Sequence, residues 1–170
     1  KYTNNKSHVE LYMDLKAALS NLAAKAVTIR DSLNSEEATK NALVMPFIRA
    51  LGYDVFNPEE VVPEYVADNI KKKGEKVDYA IIHQGAPLIL IESKACGELL
   101  DINHAHQLYR YFTATLAKIG ILTDGIIYKF FTDIDDKNKM DGKPFLIFNL
   151  LDFEDNQIHE LSKIAKNTFN

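Results

Sequence analysis

The sequence predicts an α/β fold: a central mixed β-sheet flanked by helices, with an additional N-terminal helix. Three observations carry this. The first fifty residues place apolar side chains at helical spacing. From Tyr53 the period shortens to two and turn residues punctuate the chain. A helical stretch, Asn103 to Lys118, then separates two groups of strands, which suits one mixed sheet with helices against it.

Taken in order, His8 to Leu33 reads as a helix, because Tyr12, Leu15, Leu19 and Leu22 recur at helical spacing without Gly or Pro. Asn34 or Ser35 caps a second helix, with Glu36 and Glu37 in its first turn, where the helix dipole favours acids. Its apolar face is Leu43, Phe47, Ile48 and Leu51; Pro46 bends it and Gly52 ends it. Tyr53–Phe56 and Val61–Val66 read as strands around Asn57 and Pro58. After a lysine-rich loop come Val77–His83 and Pro87–Lys94, joined tightly through Gln84, Gly85 and Ala86. The Asn103–Lys118 helix carries Leu108, Phe112 and Leu116 on one face. Ile119–Thr123 and Ile126–Thr132 flank Asp124-Gly125, a hairpin signal. Phe145–Leu150 is a last strand and Phe153–Ala165 a last helix.

The chain has 170 residues, about one domain, with 46% hydrophobic and 26% charged residues, the balance of an ordinary globular protein. Its apolar runs fall short of the roughly 18 residues of a membrane helix, and a cytoplasmic protein is expected. Cys96 is the single cysteine, so an internal disulfide and a zinc-thiolate site are excluded. A net charge of −4 argues against broad attraction to nucleic acid, although lysines cluster at Lys71, Lys72, Lys73 and Lys76.

Chemistry concentrates in VDYAIIHQGAPLILIESKA, Val77 to Ala95, which places Asp78, Glu92 and Lys94 where a core strand excludes charge. Residues two apart on a strand share a face, so Glu92 and Lys94 are neighbours, and a hairpin brings Asp78 beside Glu92. Adjacent carboxylates repel unless positive charge lies between them. Lys94 supplies part of it; a hard divalent cation, Mg²⁺ or Mn²⁺, would supply the rest. The tripeptide alone is weak. The pattern D/E-x-K also occurs at Asp14-Leu15-Lys16, Asp135-Asp136-Lys137 and Asp141-Gly142-Lys143, but only Glu92-Ser93-Lys94 follows an apolar strand with an aspartate heading the strand before. Spacing leaves a metal site and a structural ion pair both open. Gln107 and Tyr111, four apart on the next helix, share a face that favours the metal site.

Together these residues resemble a known pattern. Asp78…Glu92-Ser93-Lys94 resembles the PD-(D/E)xK nuclease signature, and Gln107…Tyr111 resembles the Q-x-x-x-Y motif of one branch of that superfamily. EATKNALVMPFIRALGYDVFNPEEVVPEY, KGEKVDYAII, LILIESK, HQLYRYF and ILTDGIIYKFF are similar to the N-terminal nuclease domain of the restriction subunit of type I restriction enzymes, especially its small stand-alone relatives, over about residues 35–150. The resemblance implies a restriction-endonuclease-like fold over residues 35–170, with residues 1–34 forming a helix that packs on or extends it. It implies that Asp78, Glu92 and the Ser93 carbonyl bind Mg²⁺ or Mn²⁺, that Lys94 positions the attacking water, and that Glu37, or Glu36 one residue away, is an additional acid. Gln107 and Tyr111 would support the site. Val77 stands where the signature has proline.

The function so implied is metal-dependent hydrolysis of DNA, linked to restriction-modification or to defence against phage and mobile elements. The alternative is a catalytically silent module of the same fold that binds DNA or recruits a partner. Lys40, Lys71, Lys72, Lys73 and Arg110 are candidates for DNA backbone contacts, with Arg49 a lesser one. His104 and His106 read as surface histidines. No phosphate-binding loop occurs, so translocation would need a motor partner. A specificity subunit or a second copy of the chain are other candidate partners.

Overall fold

A computed structural model describes residues 6–70 and 74–169, with Ile102 and His104 described by their main chain alone. Helix α1 (His8–Ile29) starts at Ser7, whose side chain and Glu10 cap it reciprocally. It buries Leu15, Leu19, Leu22 and Ala26, the face set by its helical spacing. Those side chains join the same apolar cluster as Phe47, Ile81, Ile121 and Phe148, so α1 is part of the core.

The second helical segment begins as α2 (Glu36–Thr39), capped by Ser35, passes through a π-turn at Lys40–Val44 and continues as α3 (Met45–Ala50). Pro46 explains the widened turn: it has no N–H to donate and its ring crowds the preceding turn. The Lys25 ammonium reaches the Ala42 carbonyl at 3.5 Å.

Strands β1 (Val61–Tyr65), β2 (Val77–His83), β3 (Ala86–Ser93), β4 (Ile119–Thr123), β5 (Ile127–Phe131) and β6 (Leu146–Asn149) form a sheet in sequence order. All pairs are antiparallel except β3–β4. That parallel pair needs a crossover, supplied by α4 (His106–Ala114) after a 3₁₀ turn. The mixed α/β sheet flanked by helices is therefore as expected. One face packs on α1–α3 and α5 (Asp155–Ser162), the other on α4, giving two apolar clusters.

Two expectations are corrected. Tyr53–Phe56 is not a strand but a series of turns. The Asp54 carboxylate takes the Phe56 N–H at 3.0 Å and the Asn57 side chain takes the Glu59 N–H at 3.0 Å, which removes donors from any ladder. Helix α4 stops at Ala114, and Leu116 is exposed rather than on the buried face. Thr115 is extended there, and its hydroxyl binds the Tyr111 carbonyl at 2.8 Å. The Asp124-Gly125 turn is as expected. Gly125 has φ 85°, and a Cβ on it would stand 2.9 Å from Thr39 Cγ2, so glycine is required.

Candidate functional site

The hairpin of β2 and β3 pairs from His83↔Ala86 as far as Tyr79↔Ile91, and Asp78 lies just beyond the last pair. Its carboxylate replaces the lost ladder. Oδ2 accepts from the Ser93 N–H at 2.7 Å and from the Ser93 hydroxyl at 2.9 Å. Oδ1 lies 3.2 Å from the Lys40 ammonium, which also pairs with Glu37. The strand end is thus tied to the α2–α3 segment.

Glu92 is one residue from the end of β3 and is only 6% exposed. Oε1 lies 3.4 Å from Lys94 Nζ. Among the described residues, Oε2 is buried and accepts no hydrogen bond. Burial pushes the Glu92 carboxyl up to about 7; Asp78 and then Glu36 push in the same direction, and Lys94 opposes them. Glu92 thus lies beside Lys94 and within the field of Asp78.

Glu36 and Glu37 behave differently. Burial, then the charge of Asp78, raises the Glu36 carboxyl, with Lys94 and Lys40 opposing. Glu37 is 72% exposed at its side chain and reaches the site through Lys40. Glu36 is therefore the helix acid that shares the field of Asp78 and Glu92. One residue of helical rotation, about 100°, separates the two, and only packing of the helix decides which faces inward.

Among the described residues, no hydrogen bond joins Gln107 or Tyr111 to Asp78 or Glu92, although burial and then nearby charges, Glu92 among them, raise the Tyr111 hydroxyl. The Gln107 amide donates to the Lys76 carbonyl, and the Tyr111 hydroxyl donates to the Glu75 carbonyl at 2.6 Å. Arg110 pairs with Glu75. Helix α4 thus holds the two residues that lead into Val77 and Asp78. Arg110, expected to contact DNA, is engaged with an acid. Lys40, expected to do the same, is turned inward because Asp78 and Glu37 both attract it. Arg49 sits 5.8 Å over the Phe56 ring. Lys71, Lys72 and Lys73 lie outside the described residues, as does the side chain of His104.

Sequence reasoning assigned no role to the buried Asp124 side chain, beside the site. Its carboxylate takes the N–H groups of Gly97 at 3.0 Å, Ile126 at 3.0 Å and Ile127 at 2.8 Å, bracing the loop after β3. Thr39, which accepts from the Cys96 N–H at 3.0 Å, braces the same loop. The only sequence signal was the hairpin turn itself.

Among the described residues, no three His, Cys, Asp or Glu side chains are gathered as a ready metal cage. The donor chemistry still fits a hard divalent cation, which is commonly held by one or two carboxylates, with water completing its shell. Asp78 and Glu92 are carboxylates at one strand end, and Glu92 Oε2 is a buried acceptor without a donor among the described residues. Among the described residues, no helix is long and apolar enough to cross a membrane.

No curated protein and no solved structure matches the chain. The family described as Type I restriction enzyme R protein N terminus matches residues 68–139, a stretch that contains Asp78, Glu92, Lys94, Gln107 and Tyr111. Over the hairpin, the crossover helix and the next two strands, β4 and β5, the chain is similar to the N-terminal domain of a restriction-enzyme subunit.

Proposed function

We propose that the chain is a metal-dependent DNA nuclease of the PD-(D/E)xK type, acting in a restriction or related defence system. The observation that carries this reading is the half-buried Asp78 and the buried Glu92 at one strand end, with Lys94 beside Glu92 and one glutamate oxygen lacking a donor among the described residues. The family match over residues 68–139 supports the restriction-related role.

Asp78 and Glu92 would hold Mg²⁺ or Mn²⁺, with the Ser93 carbonyl as a further ligand. When bound, the metal would polarise a phosphate oxygen and lower the pKa of a water. Lys94 would hold the attacking water and offset charge developing on the phosphate. Glu36 would add negative field at the same place, and Gln107 and Tyr111 would keep the approach to Asp78 in register. DNA would be the substrate, and a motor subunit, a specificity subunit or a second copy of this chain would be the partner.

Digestion of linear, circular and single-stranded DNA with Mg²⁺ or Mn²⁺ tests the reading. The parent should cut, while Asp78→Ala and Lys94→Ala should not. Cutting by Lys94→Ala at the parental rate would refute the mechanism.

A second reading, a silent module of the same fold that binds DNA or recruits a partner, is favoured by the Lys40–Asp78 contact, since that carboxylate already has a cation. DNA binding without cleavage under every metal would select it.

A further inference from the structure

We propose that Lys40 is an internal counter-cation that competes with a divalent metal ion for Asp78 and withdraws to Glu37 when the metal binds. The proposal rests on the reading of Asp78 and Glu92 as metal ligands.

The geometry is unequal at the two carboxylates. Both oxygens of Asp78 already have partners: the Ser93 N–H and hydroxyl hold Oδ2, and Lys40 Nζ holds Oδ1. Glu92 has Lys94 on Oε1, and its Oε2 accepts no hydrogen bond among the described residues. A metal approaching this pair therefore meets an open acceptor on Glu92 and an occupied one on Asp78. A divalent ion on Oδ1 would stand close to the Lys40 ammonium, and two cations that close repel strongly away from bulk water.

Lys40 has a second position available. Its side chain is 9% exposed and already pairs with Glu37, whose side chain is 72% exposed. Glu37 lies three residues earlier on the same helical segment, so the ammonium can stay paired there without moving backbone. Lys40 would thus shield Asp78 from Glu92 and Glu36 in the metal-free protein and give way in the metal-bound one. Lys94, on the other carboxylate, is left for the reacting phosphate.

Titration calorimetry with Mn²⁺ alone, and thermal melting in chelator and in Mn²⁺, test this without reference to cleavage. Lys40→Met should bind Mn²⁺ about tenfold more tightly than the parent, a normal size for linked binding equilibria. It should also melt lower in chelator, with the gap closing as Mn²⁺ is added. Glu37→Gln should bind Mn²⁺ more weakly, and that loss should shrink in the Lys40→Met background, because the two residues act through one another. If Lys40→Met does not fold in chelator, Lys40→Gln, which keeps a donor and loses the charge, carries the same expectations.

Equal or weaker Mn²⁺ binding by the Lys40 variant, with Glu92→Gln still abolishing parental binding, would overturn the competitor role and leave the metal site standing. Absence of Mn²⁺ binding by both parent and Lys40→Met would overturn the metal site and this proposal with it.

Discussion

Two buried acids stand at the ends of neighbouring parallel strands, and they have opposite environments. Glu92, near the end of β3, and Asp124, just after β4, are each 6% exposed. Asp124 receives three main-chain N–H groups, from Gly97, Ile126 and Ile127. Glu92 receives one lysine at 3.4 Å, and its second oxygen accepts nothing among the described residues. Equal burial therefore hides unequal satisfaction. A carboxylate held by N–H donors is a structural brace, whereas one buried beside other acids with an unpaired oxygen is a candidate functional group.

The contrast is broken most directly by neutralising each acid. Glu92→Gln should lower DNA cleavage by about 10³-fold or more, since it removes a proposed metal ligand, while the fold persists. Parental cleavage by this variant would remove Glu92 from the chemistry. Asp124→Ala should instead cost about 3 kcal/mol of stability in denaturant unfolding, because three N–H groups lose their acceptor. A neutral effect would mean that the turn is held by its glycine alone.

The pH dependence sharpens the comparison further. Burial, with Asp78 and Glu36 adding to it, raises the Glu92 carboxyl from the usual 4.5 to about 7 in the folded protein. The folded state therefore holds this proton more tightly than the unfolded state does. The associated stability is fully present below pH 4.5 and is lost as pH rises through 7. Metal-free parent should lose about 2–3 kcal/mol relative to Glu92→Gln between those limits. Parallel pH profiles for the two proteins would show that the carboxyl is not perturbed.

Smaller effects test the positioning helix. Tyr111→Phe removes a donor to the Glu75 carbonyl and should cost about 1 kcal/mol, with cleavage reduced through displacement of Asp78. Arg110→Ala breaks a pair whose arginine is 45% exposed but whose Glu75 side chain is only 10% exposed, so about 1 kcal/mol should be lost. A larger loss of DNA affinity than of stability would restore Arg110 as a DNA contact.

Much of the fold is legible in the chain because local patterns coincide with tertiary ones. Leu15, Leu19 and Leu22 repeat at helical spacing and are buried. Apolar Leu88–Ile91 reads as a strand and lies within β3. Tyr53–Phe56 reads as a strand because Tyr, Val and Phe favour extended backbone, but Asp54 captures the Phe56 N–H and Asn57 captures the Glu59 N–H just beyond. Leu116 had the right spacing for the α4 face, and a threonine one residue before it ended the helix.

By itself the sequence determined which ionisable groups interrupt the apolar strands: Asp78, Glu92 and Lys94 are set by position along a chain whose strand period is two. Three-dimensional packing decided how those groups are satisfied. That Glu36 rather than Glu37 shares their field, that Lys40 turns inward onto Asp78, and that Gln107 and Tyr111 grip Glu75 and Lys76 all depend on how separate elements rotate and dock. The reason is physical: hydrogen bonding and charge coupling are settled over a few ångströms between residues far apart in sequence, and no local periodicity records those distances.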